Sequence, residues 1–266
     1  MTYLSQFSLE GKVALITGAS RGIGRSTALA FSEAGARVAL TSRKQEDLNK
    51  VADEIKARGG DAFPIAAHAG KLEEIHRLID EVVKHYGCID ILVNNAGGSP
   101  ANASCLEAEE RLWDTIINLN LKGVYFLSQA AALIMKENGG GKIINVASTS
   151  GFKPEFRNGI YSIAKTAVTM LTKSMAMELA QFNIRVNAIA PGAIMTQLLS
   201  YNWSKLPDEQ AKGVQAFLAA GSPMKRIADP DEITGAMLYL ASDASSFTTG
   251  ETIVVDGGML LGTPPY

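Results

Sequence analysis

Cysteine is scarce in this chain: of 266 residues only Cys88 and Cys105 carry a thiol. One pair cannot build a disulfide framework, and its spacing matches no zinc motif, so a disulfide-stapled secreted fold and a structural zinc site both drop out. A reducing cytoplasm is the expected setting. Charge of one sign is also missing, because 25 Lys and Arg against 27 Asp and Glu leave a net charge of −2 with the basic residues scattered. Without a basic stripe there is no electrostatic footprint for nucleic acid or an anionic membrane. No apolar run reaches the roughly 18 residues of a membrane span, and residues 1–10 lack the basic-then-apolar order of a signal peptide. Secretion and membrane spanning are therefore not expected. His76 and His85 fall on a polar helical face without a His-Glu-x-x-His pattern, so no metal site is expected.

What is present is a globular composition: 47% hydrophobic and 20% charged residues, enough to bury a sizeable core. Short β-prone apolar runs alternate with helical patterns along nearly the whole chain. The runs are Val13–Thr17, Val38–Thr41, Phe63–Ala66, Ile89–Asn94, Lys142–Ala147, Arg185–Ala190 and Thr252–Val255. Between them, helices are predicted over Ile23–Ala34, Lys44–Arg58, Leu72–Tyr86, Glu109–Lys136 and Ile160–Phe182. Continuous apolar strands are buried on both faces, and strand–helix alternation implies parallel pairing through right-handed crossovers. The expected fold is therefore α/β, a doubly wound parallel sheet of about seven strands with helices on both faces. No linker or repeat divides the pattern, so residues 1–266 are read as one domain. The irregular stretch 192–226, interrupted by Pro207 and Pro223, is either a substrate-binding lid or a surface excursion.

Thr17-Gly18-Ala19-Ser20-Arg21-Gly22-Ile23-Gly24 follows the first strand and opens a helix. Glycines there permit a tight turn and close approach of backbone to phosphate, while a helix N-terminus offers unpaired N–H groups to a pyrophosphate. Downstream, Tyr161 and Lys165 stand four apart on a predicted helix, where an ammonium beside a phenol is expected to lower its pKa and make it a usable acid/base. Ser148 ends a predicted strand just before them.

The spacing of the turn, Gly-x3-Gly-x-Gly, resembles that of the short-chain dehydrogenase/reductase family, whose fold is Rossmann-type. The resemblance recurs as Asn94-Asn95-Ala96-Gly97, Asn120, Ser148, Tyr161-x3-Lys165 and Pro191-Gly192-x3-Thr196, in family order over essentially the whole chain. It implies catalytic roles for Asn120, Ser148, Tyr161 and Lys165. Tyr161 would exchange a proton with the substrate oxygen, Ser148 would hold that oxygen, and Lys165 would bond the nicotinamide ribose. Asn120, seven residues beyond Trp113, would kink its helix and hold a water that relays protons towards the lysine. Cofactor contacts are implied for Gly18, Ser20, Arg21, Gly22, Ile23, Gly24, Asn94, Ala96, Gly97, Pro191, Gly192, Ile194 and Thr196. Asn94 serves equally as a strand-end cap. Ala69 would line the adenine, and His68 departs from the acidic or amide residue the family places there.

Thr41-Ser42-Arg43 stands where NAD-preferring enzymes carry an acidic residue, about 20 residues beyond the turn. With Arg21, Ser42 and Arg43 would bracket a 2′-phosphate, so the expected cofactor is NADP(H). The expected reaction is interconversion of a ketone and a secondary alcohol, on an apolar substrate. Its pocket walls would be Ile194, Met195, Leu198, Leu199, Tyr201 and Trp203 of the lid, facing Phe152 and Phe156. Alternatives are a 3-oxoacyl carrier-protein or acyl-CoA reductase, a sugar or polyol dehydrogenase, and a non-catalytic dinucleotide sensor. Carrier-protein substrates are disfavoured because Gly139 and Phe182 replace the two arginines that dock the carrier in such reductases. Ile163, Ala167, Met170, Ser174 and Met177 give the catalytic helix a second apolar face, and the resemblance implies a homotetramer. The apolar end, Met259–Tyr266, is expected to reach a neighbouring subunit.

Overall fold

Apolar runs with no polar alternation form the middle layer of the fold. The computed structural model describes residues 3–201 and 203–262, the side chain of Leu198 apart. Seven parallel strands make one sheet: β1 (Val13–Thr17), β2 (Arg37–Ser42), β3 (Ala62–Ala66), β4 (Ile91–Asn94), β5 (Gly141–Val146), β6 (Ile184–Pro191) and β7 (Thr252–Val255). Their order is 3-2-1-4-5-6-7, with Leu15 of β1 level with Ala39 on one side and Leu92 on the other. The expected doubly wound sheet is the observed one.

The alternation absent from the sequence exists in space. Ala14 and Ile16 pack with Phe31, Leu48 and Met237, while Val13 and Leu15 pack with Ile75, Leu127 and Met175 on the opposite face. The first layer is covered by α1 (Gly22–Glu33), α2 (Gln45–Ala57) and α9 (Thr234–Ala241). The second is covered by α3 (Leu72–Tyr86), α5 (Gly123–Glu137) and α6 (Gly159–Leu179). Helix α3 shows how the pattern works: Ile75, Leu78, Ile79, Val82 and Tyr86 are buried at helical spacing, and Gly87, at φ 85°, stops the helix in the left-handed region. Pro64 is tolerated within β3 because that strand lies at the sheet edge.

The structure differs from the sequence expectation at several places. The helix predicted over Glu109–Lys136 is α4 (Glu110–Ile117), a wide π turn over Asn118–Lys122, and then α5. Asn120 causes the widening, because its Nδ2 donates to the Ile116 carbonyl at 2.9 Å and competes with the backbone ladder. The strand predicted from Ile89 starts at Ile91. Helix α9 was not foreseen, although parallel pairing of β6 with β7 requires a covering crossover. The stretch 192–226 carries α7 (Gln197–Ser200) and the thirteen-residue α8 (Asp208–Ala220), which buries none of its residues.

No helix among the described residues is long and apolar enough to cross a membrane, and no group of three His, Cys, Asp or Glu among them could hold a metal ion.

Candidate functional site

At the carboxyl edge of the sheet, the chain leaves β1 towards one face and β4 towards the other. This divergence opens a crevice, the usual ligand site of such sheets. Here it is a cleft of about 650 Å³ running from the end of β2 to the loop between β5 and α6.

One end is a cradle. Gly18 and Gly22 adopt φ of 64° and 54°, which glycine reaches without strain. A Cβ on Gly24 would meet the Gly18 carbonyl at 2.4 Å, so the turn closes only because that position is bare. Asn95 and Thr17 fix the turn to β4. Asn95 Nδ2 donates to the Thr17 carbonyl at 2.8 Å, and Thr17 Oγ1 accepts the N–H groups of Asn95 and Ala96 at 2.9 and 2.8 Å. Sequence reading singled out Asn94 for a cofactor contact or a strand-end cap and gave Asn95 no role of its own.

Ser20, Arg21 and Ile23 line the cleft at the start of α1, with Ser42, Arg43 and Ala69 along the adjoining wall. The Arg21 guanidinium donates to Gln197 Oε1 on α7. His68 also lines the wall, and its Nδ1 accepts the Gly70 N–H at 3.1 Å. The His68 N–H donates to Glu74, whose carboxyl is thereby held below the usual carboxylate range. Ser42 Oγ is buried without a partner. A buried unpaired hydroxyl beside an arginine, a glycine turn and an open helix N-terminus fits a phosphate-bearing nucleotide. Pro191, Gly192, Ile194 and Thr196 close the floor from β6, where Thr196 caps α7 by accepting the Leu199 N–H at 3.2 Å.

Ser148, Tyr161 and Lys165 meet at the other end. Helix α6 carries Tyr161 and Lys165 one turn apart, and Lys165 Nζ lies over the Tyr161 ring, 5.5 Å from its centre. The ammonium also donates to the Val146 carbonyl at 2.7 Å. Burial draws the Lys165 amine down to about 8. The expected lowering of the phenol is not found. Burial and the Glu155 carboxylate push Tyr161 up to about 12, with only the Ser148 hydroxyl pulling the other way. The reason is that Lys165 is aimed at the ring face and a backbone carbonyl, so Tyr161 is held as the neutral proton donor.

Three predicted residues lie behind the cleft wall instead of on it: Gly24, Asn94 and Asn120. Asn94 spends its amide protons on Ser128 Oγ and Asn145 Oδ1, at 2.8 and 2.9 Å, inside the sheet–helix layer. Both side-chain donors of Asn94 therefore face away from the cleft, which leaves its expected cofactor contact to the backbone. Asn120 is fully buried and clasps Gly98, accepting its N–H and donating to its carbonyl, each at 2.9 Å. Gly97 stands between Asn120 and Lys165, where a Cβ would lie 2.8 Å from Asn120 Oδ1 and 3.1 Å from Lys165 Nζ. The two predicted partners thus flank one bare position.

Around Ser148 the walls mix polar and apolar groups. Phe156 and Leu199 line the cleft, Ile194 and Trp203 are buried, and Phe152 lies outside it. The Leu198 side chain and residues 263–266 lie outside the described residues. Sequence reading passed over Ser150, Glu155 and Asn158, which line the same end.

Comparison with known proteins places these features in company. The family model described as Enoyl-(Acyl carrier protein) reductase matches residues 18–260. A Bos taurus protein named dehydrogenase/reductase SDR family member 4 is 38% identical over 252 residues, covering 95% of this chain and 88% of that protein. Among solved structures, a short-chain type dehydrogenase/reductase from Mycobacterium marinum superposes with a TM-score of 0.89 at 42% identity, covering 97% of this chain and 99% of that one. A gluconate 5-dehydrogenase from Burkholderia cenocepacia, solved in complex with NADP and tartrate, gives a TM-score of 0.90 at 35% identity, covering 98% and 100%.

Proposed function

The chain belongs to the short-chain dehydrogenase/reductase family, and we propose that it interconverts an apolar ketone and its secondary alcohol with Tyr161 as the proton-exchanging residue and NADP(H) as the cofactor. That it is a nicotinamide-dinucleotide oxidoreductase acting on CH–OH groups follows from the family. The observation that carries the residue assignment is the meeting of Ser148, Tyr161 and Lys165 at one end of a cleft whose other end is a glycine-lined cradle.

The nicotinamide supplies or takes the hydride. In reduction, Ser148 Oγ holds the substrate oxygen as its charge develops, and the neutral Tyr161 hydroxyl donates the proton. Oxidation reverses both transfers. Lys165, seated over the ring and beside Gly97, would hold the ribose hydroxyls of the bound cofactor, and Asn120 keeps the Gly97-Gly98 backbone in place beside the lysine. The lid spans 192–226 in one domain of 1–266, and Thr196 and Gln197 tie its beginning to the glycine turn.

NADP(H) is supported by the unpaired Ser42 Oγ, the adjacent Arg43, and the lack of an acidic residue at the end of β2. The kcat/KM with NADPH is expected to exceed that with NADH at least tenfold, and Arg43→Ala to shrink the ratio by about 10–100-fold, as loss of a charge-assisted bond of roughly 1.5–3 kcal/mol implies. Equal kcat/KM for the two cofactors in the parent would refute the assignment.

A homotetramer is part of the same reading. Ile163, Met170 and Met177 of α6 are 53%, 62% and 80% exposed in the single chain, while Lys165, Val168 and Thr172 on the opposite side are buried. An apolar face of that kind suits a symmetry mate. Light scattering should give about four times the chain mass of 28.3 kDa, and a monomer at micromolar concentration would defeat the proposal. With two free thiols, Cys88 and Cys105, the reading places the protein in a reducing cytoplasm.

A further inference from the structure

The loop between β5 and α6 walls the chemical end of the cleft, and the side-chain hydrogen bonds of its cleft-lining residues Ser148, Ser150 and Asn158 converge on one carboxylate. Ser148 Oγ donates to Ser150 Oγ at 3.0 Å, and Ser150 Oγ donates to Glu155 Oε1 at 2.5 Å. From the other side, Asn158 Nδ2 donates to Glu155 Oε2 at 2.9 Å. The Ser150 proton is thereby spent on Glu155, the Ser148 hydroxyl is the one that turns to the substrate oxygen in the reaction, and towards the rest of a ligand this wall offers acceptor capacity. Each Glu155 oxygen holds one of these bonds and has room for another, and Asn158 Oδ1 is buried with no partner. A buried acceptor is satisfied only by an incoming donor.

The charges around it sharpen the requirement. Arg157, next but one along the loop, has its guanidinium paired with Glu107 at 2.6 Å. Arg43 and Lys44 follow β2, three strand spacings or about 14 Å from β5 across the sheet. Arg21 sits on the turn after β1, engaged by Gln197. Lys165 donates to the Val146 carbonyl and lies over the Tyr161 ring, and in the proposed reaction its remaining protons serve the ribose hydroxyls. Lys153, two residues before Glu155, is exposed and outside the cleft lining, so among the described lining residues a substrate anion placed beside Ser150 would meet the Glu155 carboxylate with no counter-cation beside it.

We propose that Glu155 is a specificity-determining residue: together with Asn158 Oδ1, it admits ketones that carry a hydroxyl or ammonium group on the side away from the nicotinamide, and it turns away those that carry a carboxylate or phosphate there. This rests on the ketone–alcohol reading of the cleft. Phe156 and Leu199 supply the apolar contact for the substrate frame, and the acceptor pair reads its polar end. Sugar acids fit this arrangement poorly, whereas uncharged hydroxyketones and amino ketones fit it well.

Three acetophenones with a para hydroxymethyl, aminomethyl or carboxylate group share one frame and differ only at the end that would meet Glu155. With NADPH, the intact protein is expected to show kcat/KM at least about tenfold higher for the hydroxymethyl and aminomethyl ketones than for the carboxylate. Glu155→Gln keeps an oxygen for Ser150 and removes the charge. It is expected to raise the carboxylate ketone at least about fivefold and lower the aminomethyl ketone by a similar factor, with the NADPH Kd unchanged. A parent preference for the carboxylate, or a carboxylate-to-aminomethyl ratio that the substitution leaves within twofold, would overturn the proposal. If none of the three is reduced, it is the ketone reading that fails. Calorimetric titration of the same three compounds into the NADPH-bound protein then decides the charge assignment separately: the same order and the same reversal uphold it, and equal or absent affinities overturn it.

Discussion

Tyr161→Phe is expected to lower kcat for ketone reduction by roughly a thousandfold or more, about 4 kcal/mol in the barrier, while the cofactor Kd stays within about threefold of the parent. The substitution keeps the ring beneath Lys165 and removes the hydroxyl that faces Ser148. With its proton held up to about 12, Tyr161 meets the ketone in the protonated form throughout neutral pH. Lys165, drawn down to about 8 by burial, is the group that titrates first. Reduction by the parent is therefore expected to hold level below about pH 7.5 and to fall above about 8, where the lysine charge that anchors the ribose is lost. Oxidation needs the deprotonated phenol and is expected to rise with pH instead. Lys165→Ala, unlike Tyr161→Phe, is expected to weaken both turnover and cofactor binding. Activity of Tyr161→Phe within tenfold of the parent, a change under about 1.4 kcal/mol, would remove Tyr161 from the proton transfer.

The parts of this molecule that were legible in the sequence are those whose signals are local. Strand β1 and helix α3 have the bounds read from the sequence, one as an uninterrupted apolar run and the other as a spaced apolar stripe ended by Gly87. Helix α9 escaped because Thr234–Ala241 is apolar on nearly every side, and a short apolar run reads equally as strand or helix. A signal was nevertheless available. Asp229-Pro230-Asp231-Glu232 has a capping box with proline at the first position, and Glu232 accepts the Asp229 N–H at 2.8 Å.

At the site, spacing brought Tyr161 and Lys165 to one face of α6, but where each head group points depends on partners that spacing does not show. Lys165 ends on a backbone carbonyl, which has no residue letter, and so the expected effect on the phenol did not appear. Of the adjacent asparagines, Asn94 and Asn95 point to opposite sides because successive strand residues alternate; one enters the core and the other clasps the glycine turn. Glu155 was passed over because it lies on a loop, where sequence carries no periodicity to say which side chains face the cleft.

The side chains that lock the catalytic helix to the sheet form a buried polar chain, and breaking its centre is expected to cost as much as emptying a core position. Asn94 on β4 donates to Ser128 of α5 and to Asn145 of β5, Asn145 donates to Thr172 of α6 at 2.9 Å, and Thr172 donates to the Val168 carbonyl at 2.8 Å. All four side chains are buried, with Asn145 and Thr172 at 0% exposure. Asn145→Leu fills similar space but leaves an Asn94 proton and a Thr172 lone pair without partners in a dry layer. At about 1–3 kcal/mol for each orphaned group, the loss is expected to be about 2–6 kcal/mol, a large share of the roughly 5–15 kcal/mol that holds a domain together. Urea unfolding should show the midpoint falling at constant m. The strand that leads to Ser148 and the helix that carries Tyr161 and Lys165 are joined through this pair, so kcat should fall in the variant under conditions where it remains folded. Adding Thr172→Val, which replaces the second partner by an apolar group, should recover part of the lost stability, because paired removal leaves fewer unmet groups than single removal. A loss below about 1 kcal/mol in the single variant, or no recovery in the double, would show that the chain of amides contributes little to fixing α6 on the sheet.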